Sequence, residues 1–392
     1  MASARALVDD AVEEILLRLP PDDPASLLRA SLACKPWCRL LTSAAFLRRY
    51  RRFHRTPPML GFLRNDAEEY TSRFVPTASF RTLDPDRRDC SPLDCRHGRV
   101  LIYDFASLES HQLLLWVPIT GEERQIPLPV MPRLRYDFIA AVLCAVSDCD
   151  HLDCQGGPFL VAAVGVSKYT LEPCACVYSS EAAEWSEPIT MDVEPGFLME
   201  IFPNSVLAGD AMYFICKLGT VILRYDLHGE GSLSAIKQPD VDADVEETSY
   251  ALVAVDGGVT FAVLMDHRLH LWSLETMDPD GVAGWSQLRV IQLETLLPAI
   301  ADPESSPRLV GFAKEADSDV IFVGTKFGLF AVGLTSHWIR KVCDGAIEDW
   351  TIFPYMSFFT PVLSCCGNIV DAGENLVSYG LLDDGAWGDP LA

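Results

Sequence analysis

The sequence has no apolar run that approaches the roughly 20 residues needed to cross a bilayer. A secretory signal would begin with basic residues and continue with an uncharged apolar stretch. The first apolar segment here contains Asp9, Asp10, Glu13 and Glu14, so we expect no secretory signal. The 25 glycines and 26 prolines in 392 residues are ordinary counts that do not indicate low complexity. These observations predict a soluble intracellular protein, cytoplasmic or nuclear or both, with no membrane partner.

Basic residues are scarce beyond residue 58. Residues 1–58 contain ten Lys or Arg and six Asp or Glu, a net charge of +4. The rest of the chain contains 21 Lys or Arg and 49 Asp or Glu, a net charge of −28. A body this acidic repels phosphate, so we expect no nucleic-acid partner. The acidity either keeps the protein soluble or attracts a basic partner, and composition alone does not separate these readings.

The common catalytic motifs are also missing. The chain contains no Gly-x-Gly-x-x-Gly, no Walker loop, no Gly-x-Ser-x-Gly and no His-Glu-x-x-His. Its eight histidines are scattered along the sequence, and each is more easily explained as a surface or hydrogen-bonded group than as a catalyst. We therefore predict a protein that is not an enzyme, with no catalytic residues and no cofactor.

The 13 cysteines are odd in number and irregular in spacing, which is not the pattern of a secreted disulfide scaffold. One group, Cys144, Cys149, His151 and Cys154, has the ligand types of a zinc site. Zinc sites usually contain cysteine pairs separated by two to four residues, and here the spacing is C-x4-C-x4-C in a loop crowded with aspartates. The sequence expectation is reduced thiols and no bound metal.

Residues 7–54 have the apolar spacing of three short amphipathic helices. Pro20 and Pro21 end the first helix, Asp23 is placed to cap the second, and Pro36 should end or kink the second helix because it lacks a backbone donor. Thr42 or Ser43 caps the third. The segment Thr56-Pro-Pro58 marks a boundary, which predicts an all-α module at residues 1–56 and a separate body at residues 57–392.

From residue 59 onward, short runs rich in Val, Ile, Phe and Tyr alternate with turns rich in Gly, Asp, Asn and Pro. Such a pattern predicts an all-β body. A weak repeat of about 40 to 60 residues, seen for example between His97 and Trp116 and between Asp256 and Trp272, favours radially repeated small sheets, a β-propeller. A pair of β-sandwiches is the alternative, and the repeat is too degenerate to give a blade count.

Residues 7–50 resemble the F-box family of plant proteins. The resemblance rests on three blocks and their spacing: Glu14-Ile-Leu-Leu-Arg-Leu-Pro20, Ser26-Leu-Leu-Arg29 and Ala33-Cys-Lys-Pro-Trp-Cys-Arg-Leu-Leu41, followed by Phe46 and a basic tail to His54. The chain departs from the family at Leu7-Val8, where Leu-Pro is common, and at Cys38, which separates Trp37 from Arg39. Neither change removes an apolar contact. The body is similar to the propeller-type domains attached to many plant F-box proteins.

The resemblance implies a substrate-receptor subunit of a Skp-cullin-F-box ubiquitin ligase. In that reading the helical module docks a Skp-family adaptor and through it a cullin, while the β body binds a client protein that the sequence does not identify. The residues expected to line or support the adaptor face are Leu7, Ile15, Leu16, Leu19, Pro20, Leu28, Trp37 and Leu41. The alternatives are a non-ligase binding or structural protein with a degenerate F-box and, less favoured, a propeller-based hydrolase.

Client binding is expected on long loops at one face of the body, because strands fix the scaffold and loops are free to vary. The candidates are the turn-rich segments 144–158, 228–249 and 275–286. The second is strongly acidic through Asp240, Asp242, Asp244, Glu246 and Glu247, and it is either a contact for a basic client or a solvated loop without a partner.

Overall fold

The structure is a computed structural model of the whole chain. It describes residues 10–361 except for 67–70, 83, 107–110, 130–137, 167–171, 193–199, 218–220, 228, 230, 242–248, 266, 278–282, 294–306, 316–317, 336–337, 348–350 and 360.

The N-terminal module is helical. Its helices are α1 (residues 10–16), α2 (Pro24–Ala33), α3 (Lys35–Leu41) and α4 (Ala44–His54). The predicted second helix is divided in two at Cys34, whose backbone is extended, and Pro36 stands in the first turn of α3 where its missing N–H costs nothing. Ser43 caps α4 as predicted by accepting a bond from the Phe46 amide at 3.2 Å, whereas Asp23 makes no side-chain cap on α2.

The body consists of six antiparallel sheets. Blade 1 contains β1 (Met59–Asp66), β2 (Thr71–Pro76), β3 (Asp86–Arg88) and β25 (Ile352–Met356). Blade 2 contains β4 (Cys90–Arg96), β5 (Arg99–Asp104), β6 (Gln112–Val117) and β7 (Glu122–Ile126). Blade 3 contains β8 (Phe138–Cys144), β9 (Phe159–Val166), β10 (Pro173–Ser179), β11 (Glu184–Trp185) and β12 (Ile189–Thr190).

The remaining three sheets follow in chain order. Blade 4 contains β13 (Glu200–Ala208), β14 (Ala211–Lys217), β15 (Val221–Asp226) and β16 (Ser232–Lys237). Blade 5 contains β17 (Ser249–Val255), β18 (Gly258–Met265), β19 (Arg268–Met277) and β20 (Ala283–Gln292). Blade 6 contains β21 (Arg308–Glu315), β22 (Ser318–Thr325), β23 (Gly328–Gly333) and β24 (Ile339–Asp344).

The six sheets form a closed ring. The strands β25, β4, β8, β13, β17 and β21, one from each blade, contact each other in that order, and β21 returns to β25. Blade 1 closes the ring because its inner strand β25 comes from late in the chain and pairs antiparallel with β1, for example Leu63 with Phe353. This is a six-bladed β-propeller, so the propeller prediction is confirmed and the pair of sandwiches is excluded.

The cores of the propeller lie between neighbouring blades. On β22, Ile321 and Val323 belong to a cluster shared with blade 5, whereas Val320 and Phe322 face a cluster shared with blade 1. A blade is thus buried on both faces, and its inner strands are apolar at successive positions instead of alternating with polar ones. This explains the continuous run Val320-Ile-Phe-Val323 in the sequence.

Candidate functional site

The helical module has its own core of buried side chains. They are Leu16, Leu17, Leu27, Leu41, Phe46 and Tyr50, together with Phe358 from the segment after β25. Leu28 faces a different cluster, which it shares with propeller residues such as Leu60 and Phe359. The module therefore packs on the propeller through both clusters.

The predicted adaptor residues divide into surface and core. Ile15 is 66% exposed, Pro20 is exposed, and Leu19 and Trp37 are half-buried. Leu16, Leu28 and Leu41 are at most 3% exposed, so they support the surface from within the chain. Leu7 lies outside the described residues. The sequence did not single out Phe53, a large apolar side chain of α4 that is 51% exposed.

Ion pairs hold α1 against α4 beside this surface. Arg49 of α4 pairs with Glu13 and, at 3.0 Å, with Glu14, which also pairs with Arg18 at 3.0 Å. The hydrogen bond from Arg18 is the main cause that lowers the pKa of Glu14. Since these groups are exposed, the pairs orient side chains more than they stabilise the fold.

A buried tyrosine and a half-buried histidine connect α4 to the end of the first helix. The hydroxyl of Tyr50 donates to the Leu19 carbonyl at 2.8 Å, and burial raises its pKa. The Nε2 of His54 lies 2.9 Å from the Leu17 carbonyl oxygen, and burial lowers the pKa of this imidazole despite that bond. Both contacts satisfy carbonyls that follow α1, where no further helical turn is available to accept them.

The module is attached to the propeller by specific contacts. The Ala25 amide donates to Ser79 Oγ at 3.1 Å, and the Tyr50 ring meets Phe358 edge-on at 6.2 Å. In the loop between β8 and β9, Leu152 packs against the helical core and Asp153 forms an ion pair with Arg51 of α4. These contacts fix the exposed surface around Ile15 relative to the blades.

The centre of the propeller contains a cavity of about 360 Å³, lined by inner strands of five blades. Arg96 crosses it from β4: its guanidinium donates to Asp94 at 3.1 Å and to Ser205 Oγ at 2.8 Å. Asp94 in turn accepts the Val142 amide at 2.8 Å, and burial raises the pKa of its carboxyl. These charged groups connect β4 to β8 and β13, so they act as structural ties of the ring.

The acidic client loop is only partly described. Asp240 follows β16 and is exposed. The other candidates, Asp242, Asp244, Glu246 and Glu247, lie outside the described residues.

The cysteines give two results that the sequence did not anticipate. Ten of them are free thiols, but Cys38 is disulfide-bonded, so the prediction of reduced cysteines is wrong at that position. The ligand atoms of Cys144, Cys149, His151 and Cys154 all lie within 4.8 Å of one another. The irregular spacing that argued against a metal site therefore does not keep these side chains apart.

Comparison with protein families decides the class. The F-box domain matches residues 6–49, and the β-propeller of the family described as F-box protein AT5G49610-like matches residues 92–363. The chain belongs to this F-box protein family. The prediction of an F-box followed by a propeller-type body is confirmed, and an F-box joined to a propeller is the arrangement of a substrate-receptor type of protein.

Solved structures resemble this F-box protein only distantly. A protein from Lactobacillus plantarum has a TM-score of 0.44 at 12% identity, over 74% of this chain and 83% of that one. The α-L-arabinanase of Penicillium chrysogenum has a TM-score of 0.35 at 14% identity, over 77% of this chain and 89% of that one. The WD40 domain of SCAP from fission yeast has a TM-score of 0.35 at 11% identity, over 71% of this chain and 56% of that one. Scores this low carry no functional inference. No curated protein matches the chain.

Within the described residues, no helix combines the length and the apolar character needed to span a bilayer.

Proposed function

We propose that this protein is the substrate receptor of a Skp-cullin-F-box ubiquitin ligase. Its helical module docks a Skp-family adaptor and through it a cullin, and its propeller binds the client without catalysing a reaction. The observation that carries the proposal is the exposure of Ile15 on a module that matches the F-box and is fixed to a propeller.

The adaptor face centres on Ile15, with Pro20 exposed and with Leu19 and Trp37 half-buried in the same module. An apolar side chain that is 66% exposed gains free energy when a partner covers it. The buried predicted residues, Leu16, Leu28 and Leu41, hold the helices that present this face. Leu7 is proposed to lie at the adaptor face only because of the resemblance to the F-box family.

The test is binding of the full-length chain to a purified Skp-family adaptor. Ile15→Asp should weaken binding by at least tenfold, because the contact would bury an unpaired charge. Leu288→Asp is the matched control, since Leu288 is 53% exposed on β20 of the propeller, and it should bind like the wild type. Both variants should melt like the wild type because neither residue is in a core.

Equal binding of the adaptor by wild type and Ile15→Asp would contradict the docking assignment. Absence of adaptor binding by the folded wild type would favour the alternative, a binding or structural protein with a degenerate F-box. Leu16→Asp separates folding from docking: it should unfold the helices, since Leu16 is 2% exposed, and lose binding together with helical signal.

The client side of the proposal rests on charge. The body carries a net charge of −28 beyond residue 58, and the acidic run from Asp240 to Glu247 concentrates five carboxylates in one loop. Carboxylates so placed would steer a basic client surface toward the propeller. The loop is proposed as a client contact on this ground.

A further inference from the structure

The β8–β9 loop, residues 145–158, is too long for an ordinary hairpin connection. β8 and β9 are antiparallel neighbours, and such strands are usually joined by two to five residues. The loop is also poor in apolar side chains that could pack it internally. Some other set of interactions has to define its shape.

The side chains that converge in this loop are of the types that can ligate a metal ion. Cys144 at the end of β8 and Cys149, His151 and Cys154 within the loop offer three sulfurs and one imidazole nitrogen, all within 4.8 Å of one another. The Cys154 Sγ lies 3.8 Å from the His151 Nδ1. With zinc bonds of about 2.3 Å to sulfur and 2.0–2.1 Å to nitrogen, ligand atoms of a tetrahedral site stand about 3.5–3.8 Å apart. The distances between the four ligand atoms need to shorten by at most roughly 1 Å to reach this geometry.

The backbone of the loop is bent to bring these ligands together. Asp148 and His151 have positive φ values of 52° and 55°, a conformation that non-glycine residues adopt infrequently. They flank Cys149 and turn the chain on both sides of it. The His151 amide lies 3.4 Å from the Cys149 Sγ, and the His151 ring stacks on His97 from the β4–β5 turn at 4.1 Å.

A buried cation beside the cluster is incompletely satisfied. Arg99 of β5 is 0% exposed, and it donates to the carbonyls of Cys154, Gln155 (3.0 Å) and Gly157 (2.8 Å). Its Nη1 has no hydrogen-bond partner among the described residues. The sulfurs of Cys144, Cys149 and Cys154 are near enough to interact with its charge. A buried cation in this position matches an anionic cluster.

We propose that Cys144, Cys149, His151 and Cys154 bind one zinc ion as a closed structural site. Three thiols release their protons to solvent as three zinc–sulfur bonds and one zinc–nitrogen bond form, and no electron is transferred. Three thiolates and Zn²⁺ carry a net charge of −1, which the buried Arg99 balances. Soft sulfur ligands select zinc over magnesium or calcium, and four protein ligands leave no open position for catalysis.

The site would also fix the F-box module on the propeller. Leu152 and Asp153, which contact the helical core and Arg51, stand between the ligands His151 and Cys154. Zinc would therefore close the short turn that carries both contacts. Removal of the metal should loosen the attachment of α4 while leaving the blades folded. A bound zinc ion would contradict the prediction of no metal made from the sequence, and zinc binding does not depend on adaptor binding.

The first test is the metal content of the full-length protein, expressed with added zinc and purified without chelators under reducing conditions. Elemental analysis should find about one zinc per chain. Cys149→Ala should retain well below half an equivalent. Cys343→Ala is the control, a half-buried free cysteine of β24 outside the cluster, and it should retain the full amount.

The second measurement uses the wild-type chain alone, so it does not depend on a variant that folds. After removal of zinc, addition of Co²⁺ should produce the ligand-field and thiolate charge-transfer absorption of a tetrahedral site rich in sulfur. Hydrogen exchange of the α4 amides should rise at least severalfold in the metal-free protein and fall again when Zn²⁺ is restored.

The proposal is overturned if the wild type contains no stoichiometric zinc and gains none from Zn²⁺ under reducing conditions. It is also overturned if Cys149→Ala keeps a full equivalent, if Co²⁺ gives only an octahedral spectrum, or if the cluster cysteines of the native protein are joined in disulfides. If hydrogen exchange of the α4 amides is the same with zinc bound and with zinc removed, zinc does not fix the helical module on the propeller.

Discussion

Arg51 of α4 and Asp153 of the β8–β9 loop form an ion pair that joins the helical module to the propeller. The Arg51 side chain is only 8% exposed, whereas Asp153 is 54% exposed. Burial lowers the pKa of Arg51, and the charge of Asp153 opposes that shift. The pair therefore offsets the cost of burying a guanidinium at the contact between the two parts of the chain.

The first prediction is that Asp153→Asn weakens this contact. The variant leaves Arg51 buried without its counter-charge, and we expect a loss of about 1–2 kcal/mol, less than for a fully buried pair because Asp153 is half exposed. Faster hydrogen exchange in α4 would report it. Asp86→Asn is the control: it breaks the Arg73–Asp86 pair, which is exposed on both sides, and should have almost no effect. Equal effects from both variants would contradict the prediction.

The second prediction concerns closure of the propeller. A methyl group at Gly311 of β21 would stand 2.9 Å from Ile352 Cγ1 and 3.1 Å from the Ile352 carbonyl oxygen. Ile352 belongs to β25, the strand that closes blade 1. Gly311→Ala should therefore destabilise the fold by about 1–3 kcal/mol through overcrowding.

Thermal unfolding of the full chain checks this prediction. Gly156→Ala is the matched control, because its added methyl would meet no atom within 4 Å. It should melt within a degree or two of the wild type. A Gly311→Ala protein that melts like the control would show that β21 and β25 can separate without cost.

The third prediction follows from the half-buried imidazole of His54. Its pKa is lowered by burial from the ordinary value of 6.5, so the unfolded chain binds a proton more readily than the folded one. Its contribution to stability is present above pH 6.5 and is lost as the pH falls below that value. Exchange of the α4 amides, corrected for intrinsic rates, should rise between pH 7.5 and 5.5, and His54→Gln should show a smaller rise. An equal rise in the two proteins would assign the effect to other groups.

The fourth prediction concerns client capture. Replacement of Asp242, Asp244, Glu246 and Glu247 by Asn or Gln should weaken capture of a basic client and leave adaptor binding unchanged. The attraction is screened over a Debye length of about 8 Å at physiological ionic strength, so added salt should slow association with the wild type more than with the variant. If capture is insensitive to both salt and substitution, the acidic loop does not contact the client.

Local pattern was enough to predict the F-box helices, the β body and an interruption of the second helix near Pro36, which the structure places at Cys34, because each depends on residues a few positions apart. The same pattern could not separate Ile15 from Leu16. Both belong to one apolar stripe, and only the packing of Phe46, Tyr50 and neighbouring helices determines which side chain is covered. Phe53 was missed for the opposite reason: it stands among arginines, and its exposure depends on how α4 lies against α1.

By itself, the sequence determined the order of the two parts, the chain segments that form helices and strands, and the charge of each part, since these depend on composition and short-range periodicity. Only the tertiary structure decided the number of blades and the closing pair of β1 with β25, because strands far apart in the chain meet only when the ring forms. It also decided that cysteines at an unusual spacing converge on His151. Positive φ values and the bonds of Arg99 bend that loop, and neither can be deduced from the intervals between cysteines.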